Sequence, residues 1–414
     1  MNREPDVLII GAGPAGLSAA STLGTLGMEN VLVVDREPEA GGIPRFCPHP
    51  TFGLADFYRP MSGPAYAARL RARVDPNWIT TSSTALGIGT DREVLLSTLQ
   101  GETTIRPKRI LLATGIRETP RSARLVSGDR PRNILTTGAL QRIMAEGRPP
   151  PFKRPVVIGT ELVSFSALLS LRDAGIQAVA MVEEGDRIVA RRPADWLARF
   201  VLGTPIRFSS RLVRINAARD DAGRLASATI SSPDDVETEL ICDAVIFTGR
   251  FTPEASLLGH ERGLLDQASR GPAVDQHWRL ATDGIYAAGN VLRGVETSAW
   301  CVREGVAAGR AIAADILGQR GSAGQRIPVT PQAPIAFSTP SFIASSTASN
   351  QQLTLGIRMT TAARGRIVLA ADGKPFWRSP VMTARPERRI LIAPRFPDLG
   401  GASGIDLFFE GGGS

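Results

Sequence analysis

The run Val7-Leu8-Ile9-Ile10-Gly11-Ala12-Gly13-Pro14-Ala15-Gly16-Leu17-Ser18-Ala19-Ala20 sets the reading of the whole chain. Four apolar residues bounded by glycine predict a buried parallel strand, and the small and apolar residues from Ala15 to Leu26 then fall at helical spacing. At the joint stands Gly11-x-Gly13-x-x-Gly16. A dinucleotide site needs there a sharp turn, a close backbone approach to a pyrophosphate, and tight helix-strand packing, one task for each glycine. The first amides of the helix direct partial positive charge at the phosphates, so no cationic side chain is required. The following strand, Val31-Leu32-Val33-Val34, ends in Asp35, 24 residues after Gly11. That is close to the roughly 20 expected for a carboxylate that receives ribose hydroxyls.

The length of 414 residues suits two or three domains with a sizeable core. The formal charge is +8, and of 48 basic residues only Lys108, Lys153 and Lys374 are lysines. The arginines are scattered rather than gathered in a run, which speaks against a nucleic-acid surface and is compatible with anionic substrates, acidic partners or codon bias. Cys47, Cys242 and Cys301 form neither a CxxC pair nor a disulfide framework, which suits a reducing cytoplasm. No metal-ligand spacing occurs. The longest nearly uncharged run, 155–171, is broken by Glu161 and three serines, so no integral membrane span is expected. Glu4 and Asp6 precede the first apolar run, unlike a signal peptide. Gly411 to Ser414 reads as a flexible tail.

Past Asp35, the loop Glu39-Ala40-Gly41-Gly42-Ile43-Pro44-Arg45-Phe46-Cys47-Pro48-His49-Pro50 carries adjacent glycines that permit close backbone approach. A helix is expected over 58–74, and short antiparallel strands around Leu86, Ile88, Val94 and Leu96. Arg109 to Leu112 is a strand that ends in Ala113-Thr114-Gly115. A second strand-turn-helix begins at Val156-Val157-Ile158-Gly159-Thr160-Glu161-Leu162-Val163-Ser164, followed by a strand ending in Glu183-Glu184. Its glycines do not repeat. Glu161 stands where a pyrophosphate would lie and Ser164 replaces the third glycine, so nicotinamide binding is allowed by topology and opposed by charge unless the carboxylate points away. Phe247-Thr248-Gly249 ends another strand; Thr282 to Asn290 gives a strand and polar turn, and a helix runs from about Thr297 to Leu317. Residues 318–352 read as a linker rich in Ser, Pro, Thr and Gln, and alternation returns from Leu353 to Pro394 with a hairpin turn at Asp372-Gly373.

The ordered set of Gly11, Gly13, Gly16, Asp35, Gly41-Gly42, Ala113 to Gly115, Phe247 to Gly249 and 282–290 resembles the two-dinucleotide-domain flavoproteins of the glutathione-reductase type, over about residues 4–318. Within that superfamily the segment from Gly41 through Cys47 and His49 to Phe52-Gly53, with Gly289-Asn290-Val291-Leu292, is most similar to FAD-dependent proteins grouped with the second subunit of anaerobic glycerol-3-phosphate dehydrogenase. Opine oxidase and hydrogen cyanide synthase flavin subunits are more distant matches.

The resemblance implies an α/β fold of two Rossmann-like, doubly wound parallel-sheet domains: an FAD-binding domain over 1–120 and 252–318, and an NAD(P)-binding-like domain over 121–251. The linker, 319–352, and a small C-terminal antiparallel β module, 353–410, follow. It further implies that Gly11, Ala12, Gly13, Pro14, Ala15 and Gly16 hold the FAD pyrophosphate, and that Asp35, with Arg36 beside it, meets the adenosine ribose. Gly41 and Gly42 approach a further part of the cofactor, and Ala113, Thr114 and Gly115 its adenosine side. Gly289 and Asn290 face the ribityl and pyrophosphate, Asn290 standing where such families usually carry Asp. The helix start near Thr297 faces the flavin pyrimidine.

Relatives that reduce disulfides have two neighbouring cysteines after the second strand, whereas this chain has Cys47 alone, so a dithiol cycle is not expected. Cys47 and His49 are the catalytic candidates, His49 as a base or donor beside the flavin; the competing reading is a structural histidine and an inert thiol. Arg45 stands either to neutralise a phosphate or anionic substrate or to solvate the loop. The expected function is a cytoplasmic FAD-dependent dehydrogenase that takes hydride from a C–OH or C–N centre of a small molecule, working with a sister or electron-transfer subunit or as a homo-oligomer. A stand-alone NAD(P)H:acceptor flavin reductase and a non-catalytic electron-transfer subunit are the alternatives.

Overall fold

The protein is described from a computed structural model, over residues 3–190, 202–259, 264–319, 324–345 and 350–411. Of the expected tail, Gly411 instead ends the strand Ile405–Gly411, and 412–414, with parts of the expected linker, 320–323 and 346–349, lie outside these residues. The chain divides into two compact units, one of residues 1–42, 67–116 and 253–414, the other of residues 43–66 and 117–252.

In chain order the principal elements are β1 (Val7–Ile10), α1 (Pro14–Thr25), β2 (Val31–Val34), β3 (Ile79–Thr80), β4 (Arg109–Leu112), β5 (Ile134–Thr136) and α2 (Thr137–Ala145). They continue with β6 (Pro155–Ile158), α3 (Leu162–Asp173), β7 (Ala180–Val182), β8 (Ile206–Arg207), β9 (Ala244–Phe247), β10 (Ile285–Ala287) and α4 (Ser298–Ile316). The helix expected over 58–74 is shorter, Gly63–Arg71.

The first unit holds a five-stranded parallel sheet in the order β10-β4-β1-β2-β3. Val7 pairs with Val31 on one side and with Arg109 on the other, so β1 is central and all four of its residues are buried, as a parallel strand covered on both faces must be. Leu8, Ile10, Leu32, Val34, Ile110 and Leu112 form one core with Val94, Leu96 and Ile105 of a small antiparallel sheet built from Thr84–Ile88, Val94–Thr98 and Gly101–Ile105. Helices α1 and α4 pack directly on each other: a Cβ at Gly305 would run into the carbonyl of Ala15, and one at Gly309 would lie 2.9 Å from that of Ala19.

The second unit repeats the plan with a parallel sheet in the order β5-β9-β6-β7-β8. It also carries a four-stranded sheet of Glu237–Ile241, Leu225–Ser231, Arg211–Ala217 and Ser127–Gly128.

The expected C-terminal β module is present and belongs to the first unit. Asp372 and Gly373 both have positive φ, 45° and 79°, as a tight hairpin turn requires, and they join Ala363–Ala371 to Lys374–Arg378. The expected linker needs correcting. It contains three strands, Arg326–Pro331, Ile335–Thr339 and Phe342–Ala344, and the first of them pairs in parallel with Ile405–Gly411, so Val329 faces Ile405. Ile327, Val329, Ile335 and Ile343 are buried in the core of the module, and these apolar positions outweigh the turn-forming composition around them. No helix among the described residues is long and apolar enough to cross a membrane.

Candidate functional site

The first crossover, between β1 and α1, is built by backbone. The Gly11 amide donates to the Val34 carbonyl at 2.8 Å and the chain turns with φ at 110°, which glycine alone adopts without strain. A Cβ on Gly11 would strike the Ala113 carbonyl, and one on Gly16 would strike that of Gly11. These two glycines are therefore required by the fold itself.

Gly13 is different. Its φ of −79° suits any residue, and a Cβ placed on it would meet nothing closer than the Cα of Gly42, 3.9 Å away. The fold does not need glycine at this position, and a Cβ there would stand in open space over the first turn of α1. Pro14 opens the helix, and no side chain caps it. The Gly41-Gly42 loop folds back across this turn, the Gly41 amide donating to the Ala12 carbonyl at 2.8 Å. The cradle fits a diphosphate held by helix amides and backbone.

Asp35 closes one end. Its Oδ2 accepts from the Ala12 amide at 2.7 Å and its Oδ1 from the Glu37 amide at 2.9 Å. Each oxygen keeps a lone pair free for a hydroxyl donor. Burial lifts this carboxyl above its ordinary pKa, while the two backbone donors pull it back. Arg36 beside it is exposed.

Thr114 Oγ1 donates to the Glu254 carbonyl at 2.6 Å and the Glu254 amide to that of Gly115 at 2.9 Å, which fixes the chain where it leaves β4. At the far side Gly289 is pressed against Ala15, with a would-be Cβ only 2.7 Å from the alanine's, and its amide donates to Glu304 Oε2 at 3.1 Å. Asn290 spends both ends of its amide on Glu296, accepting from its N–H at 2.7 Å and donating to its carbonyl at 3.2 Å. Thr297 is the exposed N-cap residue of α4. Gly11 to Gly16, Asp35, Gly41-Gly42, Ala113 and Gly289 thus converge on one crossover.

Arg45, Cys47 and His49 lie in the second unit, not in the 1–120 domain where the sequence reading put them. Arg45 stacks on Phe46 at 5.1 Å, with Arg142 at 5.5 Å from the same ring. Cys47 and His49 are buried and belong to one chain of hydrogen bonds. The Cys47 thiol donates to Gln141 Oε1 (3.4 Å), Gln141 Nε2 donates to Ser166 Oγ (2.6 Å), and Ser166 Oγ lies 2.5 Å from His49 Nε2, whose Nδ1 lies 2.8 Å from Thr51 Oγ1. The Ser166 and Thr51 hydroxyls can each donate or accept, so the two contacts serve either tautomer of the neutral ring. Burial lowers the pKa of His49 and pushes the Cys47 thiol up to about 12. A thiol in that state is a poor nucleophile. Gln141 and Ser166 carry no sequence motif; only the fold brings them to the histidine.

The second crossover, between β6 and α3, follows the same backbone plan: the Gly159 amide donates to Val182 at 2.8 Å, as Gly11 does to Val34. Its interior is filled. Glu161, in the place of Gly13, points its carboxylate into the turn; Cβ atoms on Gly159 or Gly249 would both collide with it. Its Oε2 lies 3.1 Å from both the Ser164 and the Thr248 hydroxyl oxygens, which lie 2.6 Å apart. Glu183, in the place of Asp35, accepts from the Thr160 hydroxyl and from the Gly185 amide at 2.9 Å, and burial raises its pKa. Arg124 stacks over Phe247 at 4.9 Å and donates to the Thr248 and Gly249 carbonyls at 2.9 and 2.7 Å.

A family model described as pyridine nucleotide-disulphide oxidoreductase matches residues 5–305. Sarcosine oxidase subunit alpha of Rhizobium meliloti (strain 1021) is 29% identical over 278 residues, 62% of this chain and 25% of that protein, so the chain spans about a quarter of its relative's length. Among solved structures, T. acidophilum thioredoxin reductase is matched over 76% of this chain and 100% of its own, with a TM-score of 0.63 at 19% identity. L-proline dehydrogenase from P. horikoshii is matched over 77% and 57%, with a TM-score of 0.57 at 19% identity. A chain of the covalent putidaredoxin reductase-putidaredoxin complex is matched over 94% of this chain and 89% of its own, with a TM-score of 0.56 at 18% identity. These structures share the fold.

Proposed function

The chain belongs to the pyridine nucleotide-disulphide oxidoreductase family, and from that premise we propose that it is an FAD-dependent oxidoreductase whose flavin is held in the first unit. The observation that carries this is Gly13, a glycine with no need of its own to be one, at the uncapped start of α1. The amides of Ala15 and Gly16 would bind the diphosphate, Asp35 would receive the ribose hydroxyls, and the helix start at Thr297 would favour negative charge on the ring. FAD, when bound, supplies a hydride acceptor. The protein orients the substrate and keeps water from the reacting face.

The substrate we infer is a small molecule oxidised at a C–N centre. This narrows the C–OH or C–N expectation, and its support is that two of the similar proteins are named for sarcosine and proline. The first of these is called a subunit, which favours work beside a sister or electron-transfer subunit. Glu161 in the second turn argues against NAD(P) as the electron source, and the neutral, hydrogen-bonded Cys47 and His49 favour a structural role for that pair.

Purified protein reconstituted with FAD is expected to hold it stoichiometrically, with absorbance near flavin wavelengths. Anaerobic addition of small secondary amines should bleach the flavin, and NADH or NADPH should not. A colourless protein after reconstitution would end this reading.

A further inference from the structure

Glu296 ties the C-terminal module to the turn that leads into α4. Arg358 and Arg389 are brought together by the antiparallel pair of Leu355–Met359 with Ile390–Ile392, where Ile357 faces Ile390. Both end on the Glu296 carboxylate: Arg358 Nη2 donates to Oε1 at 2.9 Å, and Arg389 Nη2 donates to Oε2. The backbone of Glu296 is in turn closed onto the Asn290 amide. Arg293 lies 3.6 Å from Glu296 and pairs with Glu304, whose other oxygen accepts from the Gly289 amide. The stretch from Gly289 to Thr297 is therefore held by five charged side chains. Two of them, Arg358 and Arg389, lie beyond the residues that the family model matches.

These charges sit in a poorly solvated place. Arg293, Glu296 and Glu304 are buried, and the Arg389 side chain is only 10% exposed, so water and salt screen the cluster weakly. Arg293 balances Glu304, and Arg358 would by itself balance Glu296. Arg389 is the additional cation, and burying it carries a desolvation cost. Its guanidinium lies 3.8 Å from the centre of the Trp300 ring, in the first turn of α4, with Arg303 at 4.7 Å from the same ring. That turn has no acidic residue and no side-chain cap, so its amides add to the positive field.

We propose that Arg389, with Arg358, is a positioning residue for the flavin: the pair fixes the turn before α4, and its unbalanced positive charge favours the reduced ring over the oxidised one. This rests on the flavin being held in the first unit with the start of α4 towards its ring. A hydride from the substrate carries two electrons and one proton, so the ring that accepts it becomes one unit more negative. A weakly screened cation beside that ring stabilises the second state more than the first. The C-terminal module thereby takes part in the redox chemistry of a domain to which it contributes no motif.

The test compares full-length, FAD-reconstituted protein with Arg389→Met, Arg389→Lys, Arg358→Met and Glu296→Gln. The midpoint potential of the bound flavin is read by anaerobic dithionite titration against a reference dye, and FAD affinity by equilibrium dialysis of each apoprotein. Arg389→Met should weaken binding of reduced relative to oxidised flavin about tenfold, a fall of about 30 mV for a two-electron couple. Arg358→Met should lower the potential in the same direction, and Arg389→Lys, which keeps the charge, should restore most of it. Glu296→Gln should raise it, because a negative charge is lost. Opposite signs for the arginine and glutamate variants are what charge produces and what a loosened turn does not. If all variants move the potential one way, or none moves it, the proposal fails while the flavin reading stands. Where Glu296→Gln does not fold, an Arg389→Lys potential as low as that of Arg389→Met overturns the proposal equally. A parent protein that stays colourless after reconstitution ends the flavin reading and this inference with it.

Discussion

At the first crossover the turn from Ile10 to Pro14 is walled by backbone, and the space over α1 is left clear by a glycine that could be alanine; at the second, a carboxylate and two hydroxyls occupy the equivalent space. The scaffolds are alike down to single hydrogen bonds. Gly11 and Gly159 donate to the ends of β2 and β7, and Asp35 and Glu183 each accept from a residue of the neighbouring turn and from an amide two residues on. What differs is who supplies the anion. A helix start that lacks one draws it from a ligand, and one already facing Glu161 is neutralised from within. Fold alone does not make a nucleotide site, and we infer that the side chain at the position of Gly13 separates the two turns.

The largest effect is expected from Gly13→Ala, whose one added carbon meets nothing closer than the Gly42 Cα at 3.9 Å. The substitution should leave the unfolding temperature within about 2 °C of the parent, since an added Cβ finds only ordinary contact, while FAD affinity falls about 100-fold or more, or roughly 2.7 kcal/mol. Equilibrium dialysis against FAD, beside thermal unfolding of the apoprotein, measures both. A variant that keeps its flavin would erase the distinction between the two turns. The matching change at the second turn is Glu161→Ala. Thr248 Oγ1 also donates to the Ile158 carbonyl at 2.7 Å and Ser164 reaches Thr248, so both hydroxyls remain satisfied and stability should drop by only about 1 kcal/mol, with FAD content unchanged. Glu161→Gly combined with Ser164→Gly should then bind NADH detectably by calorimetry where the parent does not. Tight NADH binding by the parent would mean that the carboxylate yields its place.

Much of this was legible in the sequence because it is local. Both crossovers, the acidic ends of β2 and β7 and the turn at Asp372-Gly373 are set by residues a few positions apart, whose backbone demands glycine or whose period demands burial. What was not legible depends on distant pairing. Residues 326–331 look like linker until Val329 meets Ile405, and Arg358 and Arg389 look like solvated charges until the strand pair brings both to Glu296. The same holds for Ser166, 117 residues from His49. Sequence raised the question of which way Glu161 points, and only packing against Ser164 and Thr248 answers it.

The smallest effect concerns the second unit alone and separates a structural His49 from a catalytic one. Its pKa is lowered in the fold by burial, so the unfolded chain, near the ordinary 6.5, takes up a proton that the native chain resists. Between those two values the unfolded state binds more protons, and stability therefore falls as pH falls below about 6.5, with a slope of at most about 1.4 kcal/mol per pH unit for one site. Chemical unfolding followed at pH 7.5, 6.5 and 5.5 should show that loss in the parent. His49→Asn should flatten its share of the slope, because an amide can still face the Ser166 hydroxyl but does not titrate in this range. The flavin of His49→Asn should be reduced by substrate at nearly the parent rate if the ring only secures the 43–52 loop against α2 and α3. A fall of 100-fold or more in that rate, with stability unchanged, would instead give the imidazole a place in proton transfer.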